Sequence, residues 1–342
     1  IAMCLALAVL VFLLYSIFSR GFTAFQKTTI LLEINYDQEV LKLTPDSTEQ
    51  EIEKGKFFKV KKNALNNVFE NLSKSDAKLI KKLFSTNIDK EIKNYYIDNP
   101  SVLNTTQKLW VTAHSNVDQM LKGNSRRDVP EDRRKLNDIQ LSFIDQLVEE
   151  DRIQKEFNNF FFTRADSRHP EIAGIAGSFM GSLLTLFVVF ILSFPIAIGA
   201  SVYLEEFAPK NKLTELIEVN ISNLAAVPSI VFGLLGLGVL LNVFGFPRST
   251  PLVGGTVLAL MTLPTIIIAC RASLKAVPPS IKEGALAIGA TKSQAVFHHV
   301  VPLALPGTLT GTIIGLAQAL GETAPLIMIG MVAFIPNIPT GI

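Results

Sequence analysis

The sequence predicts a mainly α protein, a polytopic bundle of membrane helices that also carries an α-rich (α+β) domain outside the membrane. Of the 342 residues, 49% are hydrophobic, although 18% are charged. The charges are unevenly distributed, because residues 20–171 hold 25 of the 32 Lys and Arg and 24 of the 30 Asp and Glu. Gly and Pro, which membrane helices tolerate, are concentrated instead beyond residue 171, with 18 of 21 Gly and 13 of 17 Pro. A single soluble enzyme is therefore excluded.

Five stretches nearly free of charge are long enough to be membrane helices, because a hydrocarbon core of ~30 Å needs about 20 apolar residues. Residues 1–19 lack the small-residue cleavage site of a signal peptide, so they are predicted to be a transmembrane helix that is truncated at its start. The region 172–342 holds the other four predicted spans, at about 176–204, 221–246, 251–271 and 308–334. Residues 20–171 are predicted to be a domain inserted between the first two spans.

The short loops between the spans set the orientation, because Lys and Arg accumulate in cytoplasmic loops. Alternate loops lie on the same side of the membrane. One side carries only Arg248, whereas the other carries six basic residues, namely Lys210, Lys212, Arg271, Lys275, Lys282 and Lys292. The side with six is predicted to be cytoplasmic, which places residues 20–171 outside the cytoplasm.

The inserted domain is predicted to contain helices and one or two strands. Residues 28–36 are typical of a strand. Apolar residues recur at helical spacing in two places, at Leu65, Val68, Phe69 and Leu72, and at Leu136, Ile139, Phe143 and Leu147. His114 and His169 are isolated in the sequence, so no metal site is predicted. The net charge of +2, with no basic stretch interleaved with aromatics, also predicts no nucleic-acid partner.

Small residues four apart occur in two of the predicted spans, as Gly177-x3-Gly181 and Gly307-x3-Gly311-x3-Gly315. Such faces let two helix backbones approach closely in a membrane. We therefore expect both to be helix-packing faces.

A helical hairpin is predicted between the last two spans. Ser280 and Glu283 match a capping box, which would start a helix of about two turns that stops near Gly289. Thr291 can cap a second helix, and Pro302 is predicted to end it.

The same stretch contains a near match to a phosphate-binding P-loop. Gly284 and Gly289 have the required spacing, but two extra residues separate Gly289 from Lys292, and no buried strand precedes the glycines. The backbone amides could not wrap a triphosphate with the lysine in reach. The chain is therefore predicted not to hydrolyse ATP.

The hairpin resembles the EAA loop of ABC importer permeases, whose pattern is E-A-A-x3-G-x9-I-x-L-P. The positions that match are Glu283, Ala285, Gly289 and Pro302, and the positions that depart are Gly284, His299 and Val301. Further segments resemble the PstA type of phosphate ABC transporter permease: Tyr203-Leu-Glu-Glu-Phe-Ala-Pro209, Asn223-Leu-Ala-Ala-Val-Pro-Ser229, Leu263-Pro-Thr-Ile-Ile-Ile-Ala269, Ala276-Val-Pro-Pro279 and Ala319-Leu-Gly-Glu-Thr-Ala-Pro325. The resemblance covers about 170–342, and the inserted domain resembles an extra domain of some PstA-type permeases.

This resemblance implies the ABC importer permease fold with six spans, so a last span is expected beyond the five seen here. It implies import of inorganic phosphate through the bacterial inner membrane, with the inserted domain in the periplasm. The implied partners, besides the lipid bilayer, are a PstC-like second permease, a PstB-like ATPase dimer and a PstS-like periplasmic phosphate-binding protein. ATP and Mg are implied on the ATPase, and this chain is expected to bind no cofactor. The loop 277–302 is implied to couple to the ATPase through Ser280, Glu283, Gly284, Ala285, Gly289 and Pro302.

Two ionisable residues are candidates for the translocation pathway, because such groups are costly at membrane depth. Arg271 follows 22 uncharged residues, and it could give bidentate hydrogen bonds to phosphate or simply anchor its helix at the interface. Glu322 is predicted to lie mid-span, where it would repel phosphate, so gating or pairing with a cation of the neighbouring subunit fits better.

Three other functions compete with import of phosphate. One arginine cannot select phosphate over sulfate, so a permease for another oxyanion stays open. A secondary transporter would carry its own coupling-ion site and inverted repeats, and it would leave the hairpin unexplained. A membrane sensor would need a cytoplasmic signalling domain after its second helix, where this sequence has further spans.

Overall fold

The computed structural model describes residues 1–44, 47–69, 73–331 and 334–341, and the chain divides into two compact units. Ile1–Ala176 holds one apolar helix and the charged domain, and Gly177–Ile342 holds the other membrane helices. The described residues include several apolar helices long enough to cross a membrane, which makes this a multi-pass membrane protein.

The first unit begins with helix α1 (Ala2–Gly21), whose side chains are almost all exposed and apolar, as a lipid-facing helix requires. A three-stranded antiparallel sheet follows, in the order β2-β1-β3, with β1 at Gln26–Asn35, β2 at Thr106–Thr112 and β3 at Ile153–Phe157. Among the described residues, eight helices accompany the sheet: α2 (Gln38–Leu41), α3 (Glu49–Glu53), α4 (Phe57–Val68), α5 (Lys74–Lys81), α6 (Ile88–Asp98), α7 (Ser115–Leu121), α8 (Asp138–Glu149) and α9 (Asn159–Thr163).

Strand β1 lies in the middle of the sheet, because it pairs with both β2 and β3. It carries the most buried apolar side chains of the sheet, including Ile30, Leu32 and Ile34. The sequence predicts this strand, but the part of the domain that the structure describes has three strands instead of one or two. The edge strands were missed because they pair with β1 across long sequence separations and have mixed burial.

Both helical patterns of the domain lead to helices, with corrections at individual residues. The first corresponds to α4, and its last residue, Leu72, lies outside the described residues. The second corresponds to α8, which begins after the capping residue Asn137 and buries Leu141, Ile144 and Leu147. Two residues of these patterns lie outside the helices, because Phe69 follows the end of α4 in extended backbone and Leu136 precedes α8.

The second unit consists of helices: α10 (Ala176–Val202) with a π-helical turn (Tyr203–Phe207), α11 (Lys212–Ala225), α12 (Ser229–Leu235) with a π-helical segment (Gly236–Val243), α13 (Pro251–Lys275), α14 (Pro279–Ala287), α15 (Lys292–Ala295), a π-helical turn (Val296–Val300), α16 (Val301–Gly321) and α17 (Ala324–Met328).

Helices α10 and α13 run parallel. The Oγ of Ser201 donates a hydrogen bond to the carbonyl oxygen of Ile267, and a Cβ built on Gly255 would lie 2.5 Å from that of Val188. From the second pair of residues to the first, the numbering increases along both helices, from Val188 to Ser201 and from Gly255 to Ile267. The two helices therefore end on the same side of the unit. The chain between them therefore crosses the unit once.

That crossing is a broken span instead of the single span predicted at about 221–246. Lys212–Ala225 and Ser229–Val243 are bent by 103° at a break before Pro228. Proline lacks an amide hydrogen and disfavours the helical conformation in the preceding residue, Val227. Composition does not report the bend, because both arms remain apolar.

The last span also differs from the prediction of about 308–334, of which residues 332–333 lie outside the described residues. A nearly continuous helical segment, Lys292–Gly321, joins the second arm of the predicted hairpin to the span. Pro302 does not end that arm, because a wider π-helical turn immediately before it accommodates the proline ring. The span ends at Gly321, since Pro325 has no amide hydrogen to bond the carbonyl of Gly321.

Candidate coupling site

The turn Tyr203–Phe207 at the end of α10 brings together four other helical elements. Leu204 is buried beneath the turn, whereas the next three side chains each contact a different element. Phe207 stacks against Phe297, with 6.4 Å between ring centroids, and the Nζ of Lys292 lies 5.1 Å from the centroid of Phe207. The carboxylates of Glu205 and Glu206 form ion pairs.

Arg271, near the end of α13, bridges two of the carboxylates on this face. Its Nε lies 3.3 Å from Oε2 of Glu205, and its Nη2 lies 2.9 Å from Oε1 of Glu218 on α11. The Nζ of Lys275 lies 3.6 Å from the same oxygen of Glu205. The Arg271 side chain is only 15% exposed, so solvent screens these pairs less than it screens ordinary surface pairs.

Lys282 extends the charged cluster to α14, the first helix of the hairpin, because its Nζ pairs with Oε2 of Glu206. The Glu206 side chain is 10% exposed. The cluster therefore contains three carboxylates and three cations, which balance in charge: Glu205, Glu206, Glu218, Arg271, Lys275 and Lys282.

The residues predicted to couple to the ATPase lie on a largely exposed hairpin. Ser280, Glu283 and Gly284 are exposed on α14, whereas Ala285 is buried. The predicted capping box is wrong, because Pro279 occupies the first turn and starts the helix two residues earlier than expected.

The turn of the hairpin follows the sequence prediction. Gly289 has φ +94°, the left-handed conformation in which glycine is favoured, and the prediction that α14 stops near it is confirmed. Thr291 caps α15 in a capping box with Gln294, which confirms the second cap. Pro302 is exposed within the continuous helical segment.

Glu322 lies far from Arg271. A Cβ on Gly311 would contact Ala269 and one on Gly315 would contact Ile266, so α16 runs antiparallel to α13 and Glu322 is level with about Leu258. That level is thirteen residues from Arg271, or about 20 Å at about 1.5 Å per residue. Glu322 is half-buried at the break between α16 and α17 instead of within a span.

The expected role of Arg271 in phosphate contact has to be set against these partners. Two of its guanidinium nitrogens are engaged by glutamates of the same chain, so bidentate binding of phosphate would compete with two ion pairs. Sequence reasoning missed Glu205, Glu206, Glu218 and Lys282 as members of a site. One feature of the sequence could have revealed this site. Glu205 and Glu206 directly follow 33 uncharged residues, and they lie on the same predicted side of the membrane as the lysines of the short loops.

Residues 193–340 match the family described as "Binding-protein-dependent transport system inner membrane component". This part of the chain is thus similar to the membrane components of such transport systems. Residues 1–131 match a second family, described as "Domain of unknown function (DUF3333)". Among the described residues, no group of three or more His, Cys, Asp and Glu side chains could hold a metal ion.

Several curated permeases are similar to this chain. The probable ABC transporter permease protein YqgI of Bacillus subtilis is 31% identical over 168 residues, which are 49% of this chain and 56% of the relative. The phosphate transport system permease protein PstC of Haemophilus influenzae is 33% identical over 183 residues, 46% of this chain and 58% of the relative. The probable phosphate transport system permease protein PstA of Methanocaldococcus jannaschii is 31% identical over 154 residues, 45% of this chain and 54% of the relative.

The chain thus spans little more than half the length of these relatives. Since PstA and PstC relatives match at similar identity, the comparisons do not separate the two types. Among solved structures, the inward-facing MetNI methionine ABC transporter aligns with a TM-score of 0.40 and 22% identity, over 46% of this chain and 74% of that chain.

Proposed function

We propose that this chain is the PstA-like permease subunit of an ATP-driven importer that moves inorganic phosphate from the periplasm to the cytoplasm. Its partners would be a PstC-like second permease, a PstB-like ATPase dimer that binds ATP and Mg²⁺, and a PstS-like phosphate-binding protein. The printed names of the Haemophilus and Methanocaldococcus relatives support phosphate as the substrate.

The observation that carries the proposal is the exposed hairpin at one end of the permease. Next to its turn, Leu286 is 42% exposed and Ile288 is 85% exposed, an apolar edge that suits a groove in a partner protein. Gly289 turns the chain sharply, and a Cβ added there would meet nothing within 4 Å. Such a rigid, protruding element can transmit movement of an ATPase to the spans.

The packing of the spans supports the proposed orientation in the inner membrane. Because Lys282 of the hairpin pairs with Glu206 at the end of α10, the two loops that carry the six basic residues lie on one side. These loops hold six basic residues against one, so this side would be cytoplasmic and residues 20–171 would be periplasmic.

The test is uptake of radiolabelled phosphate by proteoliposomes that contain the full-length permease, its second permease, the ATPase and the binding protein. We expect ATP-dependent uptake that unlabelled phosphate inhibits and sulfate does not. The control is the same complex with an ATPase subunit that cannot hydrolyse ATP. Uptake of sulfate in place of phosphate would establish the alternative oxyanion permease, and uptake without ATP would contradict an ABC importer.

A further inference from the structure

We propose that Glu205 and Glu206 act as positioning residues of an ion-pair relay that transmits movement of the hairpin to the spans. The relay comprises Lys282, Glu206, Glu205, Arg271 and Glu218. It rests on the proposed function, because it specifies how a hairpin moved by an ATPase would act on the pathway helices.

The first link of the relay joins the hairpin to α10. Lys282 lies in the middle of α14, and its ammonium pairs with the buried carboxylate of Glu206. Since the ion pair holds one point of α14 against the end of α10, a displacement of α14 pulls on that end. The stacking of Phe207 on Phe297 guides the second arm of the hairpin against the same turn.

The second link joins α10 to two further helices. Glu205 is adjacent to Glu206 in one helical turn, so the two carboxylates move together. Glu205 pairs with Arg271 on α13, and Arg271 pairs with Glu218 on α11. Movement of the hairpin therefore reaches α10, α13 and the first arm of the broken span.

The composition of the relay favours a moving part over a static support. Lys275 is 59% exposed and already lies 3.6 Å from Glu205, and Arg271 touches two carboxylates at once. The link between Glu205 and Arg271 can therefore break without leaving a charge unpaired, because Lys275 stays beside Glu205 and Glu218 stays beside Arg271. An unpaired charge is the costly state in a partly buried site. Two alternative pairings of similar energy are what a two-state element requires.

The experiment is a charge swap in the complete importer. Lys282→Glu and Glu206→Lys are each made alone and then together, and the number of phosphate ions imported per ATP hydrolysed is measured in proteoliposomes. Each single variant should lower this ratio at least tenfold, because like charges then face each other, and the double variant should recover at least one third of the wild-type ratio. The matched control is Glu215→Lys, an exposed reversal on α11 without an ion pair among the described residues, which should keep the wild-type ratio.

Co-purification with the ATPase distinguishes the relay from a role in folding. We expect the single variants to assemble normally, whereas loss of assembly that the double variant does not repair would overturn the relay. Arg271→Lys, which cannot span both glutamates, should lower the transport ratio less than Arg271→Gln. If both variants kept the wild-type ratio, the relay would also be overturned.

The proposed function and the relay fail in different ways. If the wild-type complex imports no phosphate, the proposed function is wrong. The rate of ATP hydrolysis by the assembled complex then tests the relay in place of the transport ratio. The double variant has to restore a hydrolysis rate that the single variants change, and a double variant no better than the single ones would overturn the relay.

Discussion

The close packing of α13 on α16 makes Gly311→Ala a sharp test of the fold. A Cβ on Gly311 would lie 2.2 Å from the Cβ of Ala269, and one on Gly307 would lie 2.4 Å from the Oγ of Ser273. This confirms that the 307–311–315 glycines form a helix-packing face. The Gly177-x3-Gly181 face is different, because a Cβ on Gly181 would be 3.7 Å from its nearest neighbour, which is an ordinary contact.

The expected cost of Gly311→Ala follows from two opposing effects. Overpacking of a tight interface costs about 1–3 kcal/mol, and the upper end applies here because neither Cβ can rotate away from the other. Replacing glycine by alanine within a helix returns about 1 kcal/mol. The net loss of stability should therefore be about 2 kcal/mol, roughly a 30-fold change in the unfolding equilibrium.

Unfolding of the purified protein in detergent, followed by circular dichroism during titration with a denaturing detergent, measures this change. Gly199→Ala on α10 is the matched control, because a Cβ there meets nothing within 4 Å, so it should not be destabilising. Combining Gly311→Ala with Ala269→Gly moves the methyl group to the facing helix and should restore stability. The packing argument would be refuted if Gly311→Ala were as stable as the control, or if the combined variant were no better than the single one.

Three further predictions follow from the structure. Gly289→Arg should abolish phosphate uptake while membrane insertion persists, because a side chain at φ +94° is strained and would protrude from the hairpin turn; normal uptake would contradict a coupling role. Ser125→Cys, in a variant without the native cysteines, should react with an impermeant maleimide added to intact spheroplasts, and labelling only after lysis would reverse the orientation. Tyr36→Phe should destabilise the inserted domain by about 1–2 kcal/mol, because it removes the buried 3.1 Å hydrogen bond to the carbonyl of Ile92. Fluorescence of Trp110, the single tryptophan, reports that unfolding, and an unchanged midpoint would contradict it.

The sequence alone determined the features that depend on local composition and spacing. Separation of charge from apolar runs predicts which part of the chain enters the membrane, because the free energy of transfer into lipid sums over the residues of a segment. The composition of residues 28–36 predicts β1, and the spacing of Gly289 and Thr291 predicts the turn of the hairpin. These features need no knowledge of which segments touch.

The tertiary structure decided everything that depends on which helices pack and in what register. The broken span at Pro228 and the continuous segment through Pro302 have the same apolar composition as straight or interrupted helices, so hydropathy does not distinguish them. The partners of Arg271 lie 66 and 53 residues away in sequence, at Glu205 and Glu218. They meet only because α10 and α13 run parallel with their ends level, and an ion pair needs its charges within a few ångströms, a condition that no local pattern specifies.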